Sequence, residues 1–272
     1  CYWNSALVPL SLAENIPVIF FEPPWEVLLG IAKNPIKWFH KFKYEKSIIK
    51  HRKLPKMLKT VKLFSIFPWG WQNRWTKKIN QTFVLLQIKW HIRNYPPSKR
   101  ILLTYWRETT NLIKKIPVYR RIYHCTDEIA GFPWPSEKAK QYAIMKEAKV
   151  AQIVDLVLVT SPTLIKRMSV YNKNVKLLAN DAVDFELFNI GLSMPFPEEL
   201  KNLQKPIVGY VGNLSKFKQD FNLIKKIAIS YPEWTFVFVG AFKMDLNVNN
   251  NEIPRLRNII SVSYTHLTLP TN

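Results

Sequence analysis

His124, Thr126, Asp127 and Glu128 follow one another at the end of a short branched and aromatic run, Arg121-Ile-Tyr-His-Cys125. A histidine and two carboxylates at a strand exit can move a proton or orient a hydroxyl group. The same spacing also lets Asp127 or Thr126 cap the next helix or turn, and the sequence leaves both readings open. Thr160-Ser161-Pro162 stands at a second exit. Ser followed by Pro is the pattern of an N-cap and first helical position, so capping is the favoured reading there. A third polar stretch is Asn180-Asp-Ala-Val-Asp184-Phe-Glu-Leu-Phe188. The fourth, Gly209-Tyr-Val-Gly212-Asn-Leu-Ser-Lys216-Phe-Lys218, is a Gly-ended strand, a basic loop and then a helix. Backbone N–H groups and a helix N-terminus attract phosphate, and a lysine neutralises it. The spacing is neither that of the dinucleotide motif nor that of the P-loop, so ATP hydrolysis and NAD chemistry have no support.

Alternating strands and helices must position these residues. Runs rich in branched or aromatic residues predict strands at Pro17 to Glu22, stopped by Pro23-Pro24, and at Val61 to Phe67, Arg100 to Tyr105, Arg121 to Cys125, Leu156 to Thr160 and Val175 to Leu178. Ile79, Phe83, Leu86 and Trp90 recur at helical spacing and predict a helix over Trp75 to Tyr95. Ser136 is the expected N-cap of a helix running to Val150. The text from Gly191 to Pro206 is Pro-rich and reads as a connection between domains. A second strand-helix-strand unit follows: Ile207 to Gly212, Asp220 to Tyr231 and Trp234 to Gly240. This is an α/β pattern with parallel sheets, in which ligands sit at the carboxyl ends of strands. A first domain over 1–190, a linker over 191–206 and the start of a second domain over 207–260 are expected.

Composition bounds the function. The 272 residues are 47% hydrophobic and 14% aromatic, which suits a folded core rather than a disordered chain. Cys1 and Cys125 cannot make a disulfide framework, and His40, His51, His91, His124 and His266 lack metal-ligand spacing, so no metal site is expected. No apolar window is long enough to span a membrane, and no signal peptide is legible. The first residue is Cys, and a strand pattern begins soon after it, so the chain is expected to start inside a domain.

The formal charge of +21 is uneven. Residues 1–120 hold 22 Lys and Arg against 5 Asp and Glu, a balance of +17, and residues 121–272 carry the remaining +4. Within residues 33–62, eleven basic residues and one acid alternate with Trp38, Phe39, Phe42, Tyr44 and other apolar side chains. This mixture suits an anionic membrane surface. A solvated basic face and nucleic acid are the other two readings. For nucleic acid, no recognition module is present.

Five of these pieces, in order, carry a resemblance: Phe21-Glu22-Pro23, Tyr123-His-Cys125-Thr-Asp127, Val154-Asp155-Leu-Val-Leu-Val159-Thr160-Ser161, Asn180-Asp-Ala-Val183-Asp184-Phe-Glu-Leu-Phe188 and Gly209-Tyr-Val-Gly212. From about Pro17 to Ile260 the chain resembles the GT-B glycosyltransferases of sequence family 4. It is most similar to the branch that builds teichuronic-acid-type and other cell-surface polysaccharides. The resemblance implies two Rossmann-like domains and transfer of a sugar from a nucleotide-diphosphate donor, held by the second, to a polysaccharide or lipid-linked acceptor, held by the first. It implies no metal or other cofactor, and a cytoplasmic enzyme, at most peripheral at the inner face of the cytoplasmic membrane. Asp127 matches the catalytic polar residue at the strand exit, facing acceptor and transferred sugar. Ser161, Asn180, Asp184 and Gly212 match substrate-binding positions. In the family an Arg and a Lys after the first strand of the second domain hold the diphosphate. Lys218 falls on the Lys position and Asn213 on the Arg position, with Lys216 the candidate substitute.

The sequence departs from the family in several places. His124 replaces an Asp and Asp181 a Gly. The family's Glu-x7-Glu donor motif is absent, and residues 261–272 resemble translated adapter read-through seen in metagenomic proteins. The expectation is a fragment, inactive alone, whose +17 half meets an anionic membrane or a lipid-linked acceptor. The competing expectation is a non-catalytic basic protein that binds anionic membrane or nucleic acid.

Overall fold

The computed structural model describes residues 8–9, 11–26, 55–67, 73–105, 107, 110–179, 189, 195–212, 214, 219–240 and 256–262. The chain divides into two compact units, Cys1–Val183 and Asp184–Asn272, a boundary somewhat before the Pro-rich text.

In the first unit, β1 (Val18–Glu26) and β2 (Leu58–Ser65) pair in parallel, with Val18 opposite Leu58 and Glu22 opposite Lys62. β1 does not stop at Pro23-Pro24. Proline lacks the N–H a ladder needs, so the register shifts between Glu22 and Trp25 and pairing resumes with Trp25 opposite Phe64. Helix α1 (Arg74–Ile92) begins at Asn73, whose side chain accepts from the Trp75 N–H. Its Val84, Leu85, Ile88 and Ile92 pack on Val61 and Leu63 of β2.

Next come β3 (Ile101–Thr104), α2 (Thr110–Lys115), β4 (Arg120–Cys125), α3 (Glu137–Ile153), β5 (Leu156–Val159), α4 (Pro162–Met168) and β6 (Val175–Leu177). The strands lie in the order β3-β4-β5-β6, all parallel. One face of this sheet carries Tyr123 and Cys125 of β4 and Val157 and Val159 of β5. They close a core with Ile113 of α2, Val150 and Ala151 of α3, and Leu164 and Met168 of α4. The N-caps expected at Ser136 and Ser161 are both formed, to Ala139 and Leu164 respectively. Asp155 Oδ2 accepts from the Arg121 N–H at 2.7 Å, while the Asp155 N–H donates to the Arg121 carbonyl at 2.9 Å, which fixes β4 against β5. Asn172 closes the end of α3 by donating to Ala151 and Val154 carbonyls at 2.7 and 2.9 Å.

In the second unit, α5 (Glu198–Lys201) precedes β7 (Ile207–Val211), α6 (Phe221–Ser230), β8 (Thr235–Val239) and β9 (Ile259–Val262), with parallel order β7-β8-β9. Leu214, Ala228, Phe236 and Phe238 form its core. The sequence patterns signalled neither α2 nor β9. β9 pairs Ser261 with Phe238 and Val262 with Val239, so the sheet includes two residues of the stretch read as a tail. No helix of the described residues is long and apolar enough to cross a membrane.

Candidate active site

Because β3, β4 and β5 are adjacent and parallel, their exits lie side by side at one edge of the sheet. Cys125 is opposite Val159, so Thr126 and Thr160 leave the sheet together. The Thr160 hydroxyl donates to the Thr126 carbonyl at 3.0 Å, and the Thr126 hydroxyl donates to Asp127 Oδ2 at 2.9 Å. Asp127 is exposed. Capping of the following 3-10 turn, Ile129–Gly131, belongs instead to Glu128, which accepts from the Ala130 N–H at 3.1 Å. Asp127 is therefore a rim carboxylate whose backbone is fixed and whose side chain faces solvent.

Beneath the loop lies a polar network that sequence reasoning missed. Glu147 of α3, 1% exposed, accepts from the Tyr123 hydroxyl at 2.8 Å and from the Cys125 thiol at 3.4 Å. It is also paired with the Arg167 guanidinium of α4. Arg167 continues to the Asp127 carbonyl, 3.4 Å from Nη2, and to Glu128 Oε2, 3.0 Å from Nε. One guanidinium thus ties the loop after β4 to both helices beneath it. The available signal was a carboxylate on the inward face of α3, in line with Ala143, Val150 and Ala151. Burial, then the Glu147 charge, pushes the Cys125 thiol up to about 12, so it is a protonated donor and no nucleophile.

On the other face of β4, His124 is 2% exposed, and its ring centroid lies 5.0 Å from that of Tyr105, just past β3. Among the described residues, neither imidazole nitrogen nor the Tyr105 hydroxyl has a hydrogen-bond partner. Burial lowers the His124 pKa and raises that of Tyr105 to about 12, so both are neutral near pH 7. His124 is no proton carrier at the rim.

Ser161 sits at the β5 exit, where its hydroxyl accepts from the Leu164 N–H at 3.4 Å and keeps its proton to donate. In the second unit, the Gly212 N–H donates to the Val239 carbonyl at 2.9 Å. A Cβ on Gly240 would lie 1.8 Å from the Gly212 carbonyl oxygen, so this approach of the β7 and β8 exits requires glycine. At the start of α6, Asp220 Oδ1 already accepts from the Asn222 and Leu223 N–H groups at 3.0 Å each. This helix N-terminus is therefore occupied by the chain's own carboxylate. Asn213, Lys216, Lys218, Asn180 and Asp184 lie outside the described residues.

No protein-family model matches the chain. It is 29% identical over 148 residues to TuaH of Bacillus subtilis (strain 168), named for teichuronic acid biosynthesis as a glycosyltransferase. That stretch is 51% of this chain and 37% of TuaH. Among solved structures, HepE of Anabaena in complex with UDP-glucose is similar at TM-score 0.52 and 15% identity, over 80% of this chain and 58% of HepE. Sucrose-phosphate synthase of Thermosynechococcus elongatus is similar at TM-score 0.51 and 16% identity, over 78% and 56%. The chain thus spans little more than half the length of these structures and less than that of TuaH. Its parallel sheets have the Rossmann-like GT-B fold.

Proposed function

We propose that this chain is part of a glycosyltransferase that moves a sugar from a nucleotide-diphosphate donor to a polysaccharide or lipid-linked acceptor. The observation that carries the reading is the 148-residue similarity to a glycosyltransferase, 29% identical. The strand-exit site agrees with it: an exposed carboxylate, Asp127, on a backbone that Arg167 and Thr160 hold in place. In this reading Asp127 meets the acceptor hydroxyl and the transferred sugar, and Ser161, Asn180 and Asp184 are further substrate-binding residues. The donor diphosphate lies against Gly212, Asn213, Lys216 and Lys218. Because Asp220 fills the α6 N-terminus, neutralisation of the diphosphate falls to the two lysines. Catalysis proceeds without a metal, at the cytoplasmic side of the membrane where the acceptor is assembled.

The test is nucleoside-diphosphate release by the full-length protein over a panel of nucleotide sugars and acceptor extracts. Asp127→Asn is expected to lower kcat by about 100-fold or more with little change in donor KM, and a chelator is expected to leave the rate unchanged. Absence of release with every donor overturns the reading. An unaffected kcat in Asp127→Asn overturns the assignment of that residue.

A further inference from the structure

Helix α1 has two apolar faces, and only one is covered. Val84, Leu85, Ile88 and Ile92 pack inward. Trp75, Ile79, Phe83, Leu86 and Trp90 recur at intervals of three and four, so they fall within an arc of about 80°. All five are exposed, Trp75 to 72% and both Leu86 and Trp90 to 59%. Their outward aim is fixed by two amide clamps that lie on the helix between the stripe and the buried face. Asn80 accepts from the Phe67 N–H and donates to the Phe67 carbonyl, each at 2.9 Å. Gln87, two turns on, does the same for Phe64, at 3.0 and 2.9 Å. Rotating α1 to hide the stripe would break four hydrogen bonds and expose Val84 and Ile88.

The charge around the stripe has one sign. α1 contains Arg74, Lys77, Lys78 and Lys89 and no acid, and no Asp or Glu occurs between Glu45 and Glu108. The Arg93 guanidinium lies 4.5 Å from the Trp90 ring centroid. Exposed aromatic and aliphatic side chains on a helix whose only charged residues are cations match the headgroup layer of an anionic bilayer, with the rings at the hydrocarbon boundary and Lys and Arg at the lipid phosphates. A second copy of the stripe would bring Lys78, Lys89 and Arg93 against their own kind. Nucleic acid would engage the cations but offers nothing to Ile79 and Leu86. We propose that α1 docks the protein on an anionic lipid surface through Trp75, Ile79, Phe83, Leu86 and Trp90. This inference does not rest on the glycosyl-transfer reading.

The experiment is co-sedimentation of the 272-residue chain with vesicles of phosphatidylglycerol and phosphatidylcholine, against phosphatidylcholine alone. Binding to the anionic vesicles is expected. A loss of about tenfold or more is expected in the double variant Trp75→Ser/Trp90→Ser, and separately in Lys78→Gln/Lys89→Gln. Tyr142→Ser on α3 should leave binding unchanged. Because the replaced side chains are exposed, circular dichroism should not change. The second variant decides the question should the first fail to fold. Four outcomes overturn the proposal: no binding to anionic vesicles, equal binding to both kinds, binding insensitive to these variants, or a dimer that Trp75→Ser/Trp90→Ser dissociates. Displacement from vesicles by an RNA oligomer whose own binding ignores the tryptophan variant also overturns it. None of these measurements involves sugar transfer, so they fail or succeed independently of the proposed activity.

Discussion

Arg167 and Glu147 are charges at core positions, and each stabilises the other where water cannot. Glu147 also serves Tyr123 and Cys125. Removing one partner leaves a buried charge unpaired, so Arg167→Met should cost about 3 kcal/mol in urea unfolding. Adding Glu147→Gln should then cost much less than it does alone, a coupling that a double-mutant cycle measures. His124 makes a second residue-scale prediction. Burial holds its pKa below the ordinary 6.5 in the folded protein, so below that pH the unfolded chain binds more protons. Its stabilising contribution is full above pH 6.5 and is lost as pH falls toward the folded-state value. Thermal melts from pH 7.5 to 5 should show that decline, and His124→Leu should flatten it. His91, lowered by burial and by Lys59 and Arg93, keeps part of the slope. Asp127 was legible because a polar residue after a strand is a local pattern. Glu147 and Arg167 were not, because twenty residues separate them along the chain and only the packing of α3, β4 and α4 brings them together.

At the scale of elements, the caps at Ser136 and Ser161 were legible for the same reason, since Ser hydroxyls satisfy N–H groups three residues on. β1 shows the limit of such rules: Pro23-Pro24 interrupts its hydrogen bonds, yet pairing with β2 carries the strand past them. β9 was not legible because half of it, Ser261 and Val262, lies in the stretch that resembles adapter read-through, and its partner β8 supplies the evidence for it. Gly240 makes the element-scale prediction. Gly240→Ala places a methyl group 1.8 Å from the Gly212 carbonyl oxygen, too close for any rotamer to relieve. The exits of β7 and β8 must separate, which breaks the hydrogen bond from Gly212 to Val239. Faster amide hydrogen exchange at Gly212 than in the parent protein is the expected signature, and unchanged exchange would contradict this packing.

For the molecule as a whole, the basic excess and the two-unit division have different standing. The charge belongs to residues 1–120, and α1, inside that region, gives part of it a surface to act on. The units, Cys1–Val183 and Asp184–Asn272, correspond in order to acceptor-side and donor-side halves in the proposed function. The chain spans 37% of TuaH and 58% of HepE. Under the proposed function, residues beyond this stretch complete the donor site, so the 272-residue chain alone should release no nucleoside diphosphate where the full-length protein does. Turnover by the short chain, abolished in Lys218→Ala, would show that the donor site is complete within it.

The sequence by itself determined the alternation of strands and helices, the helix caps and the strand-exit position of Asp127, because each depends on residues within a few positions of one another. It also predicted a helix over Trp75 to Tyr95, where the structure has Arg74–Ile92, but on the evidence of the outward face. Ile79, Phe83, Leu86 and Trp90 announced the helical period, and they are the residues left in contact with solvent. A helix with two apolar stripes satisfies the period whichever way it turns. Only the tertiary structure decided between them, because Asn80 and Gln87 find the β2-end backbone on one side alone.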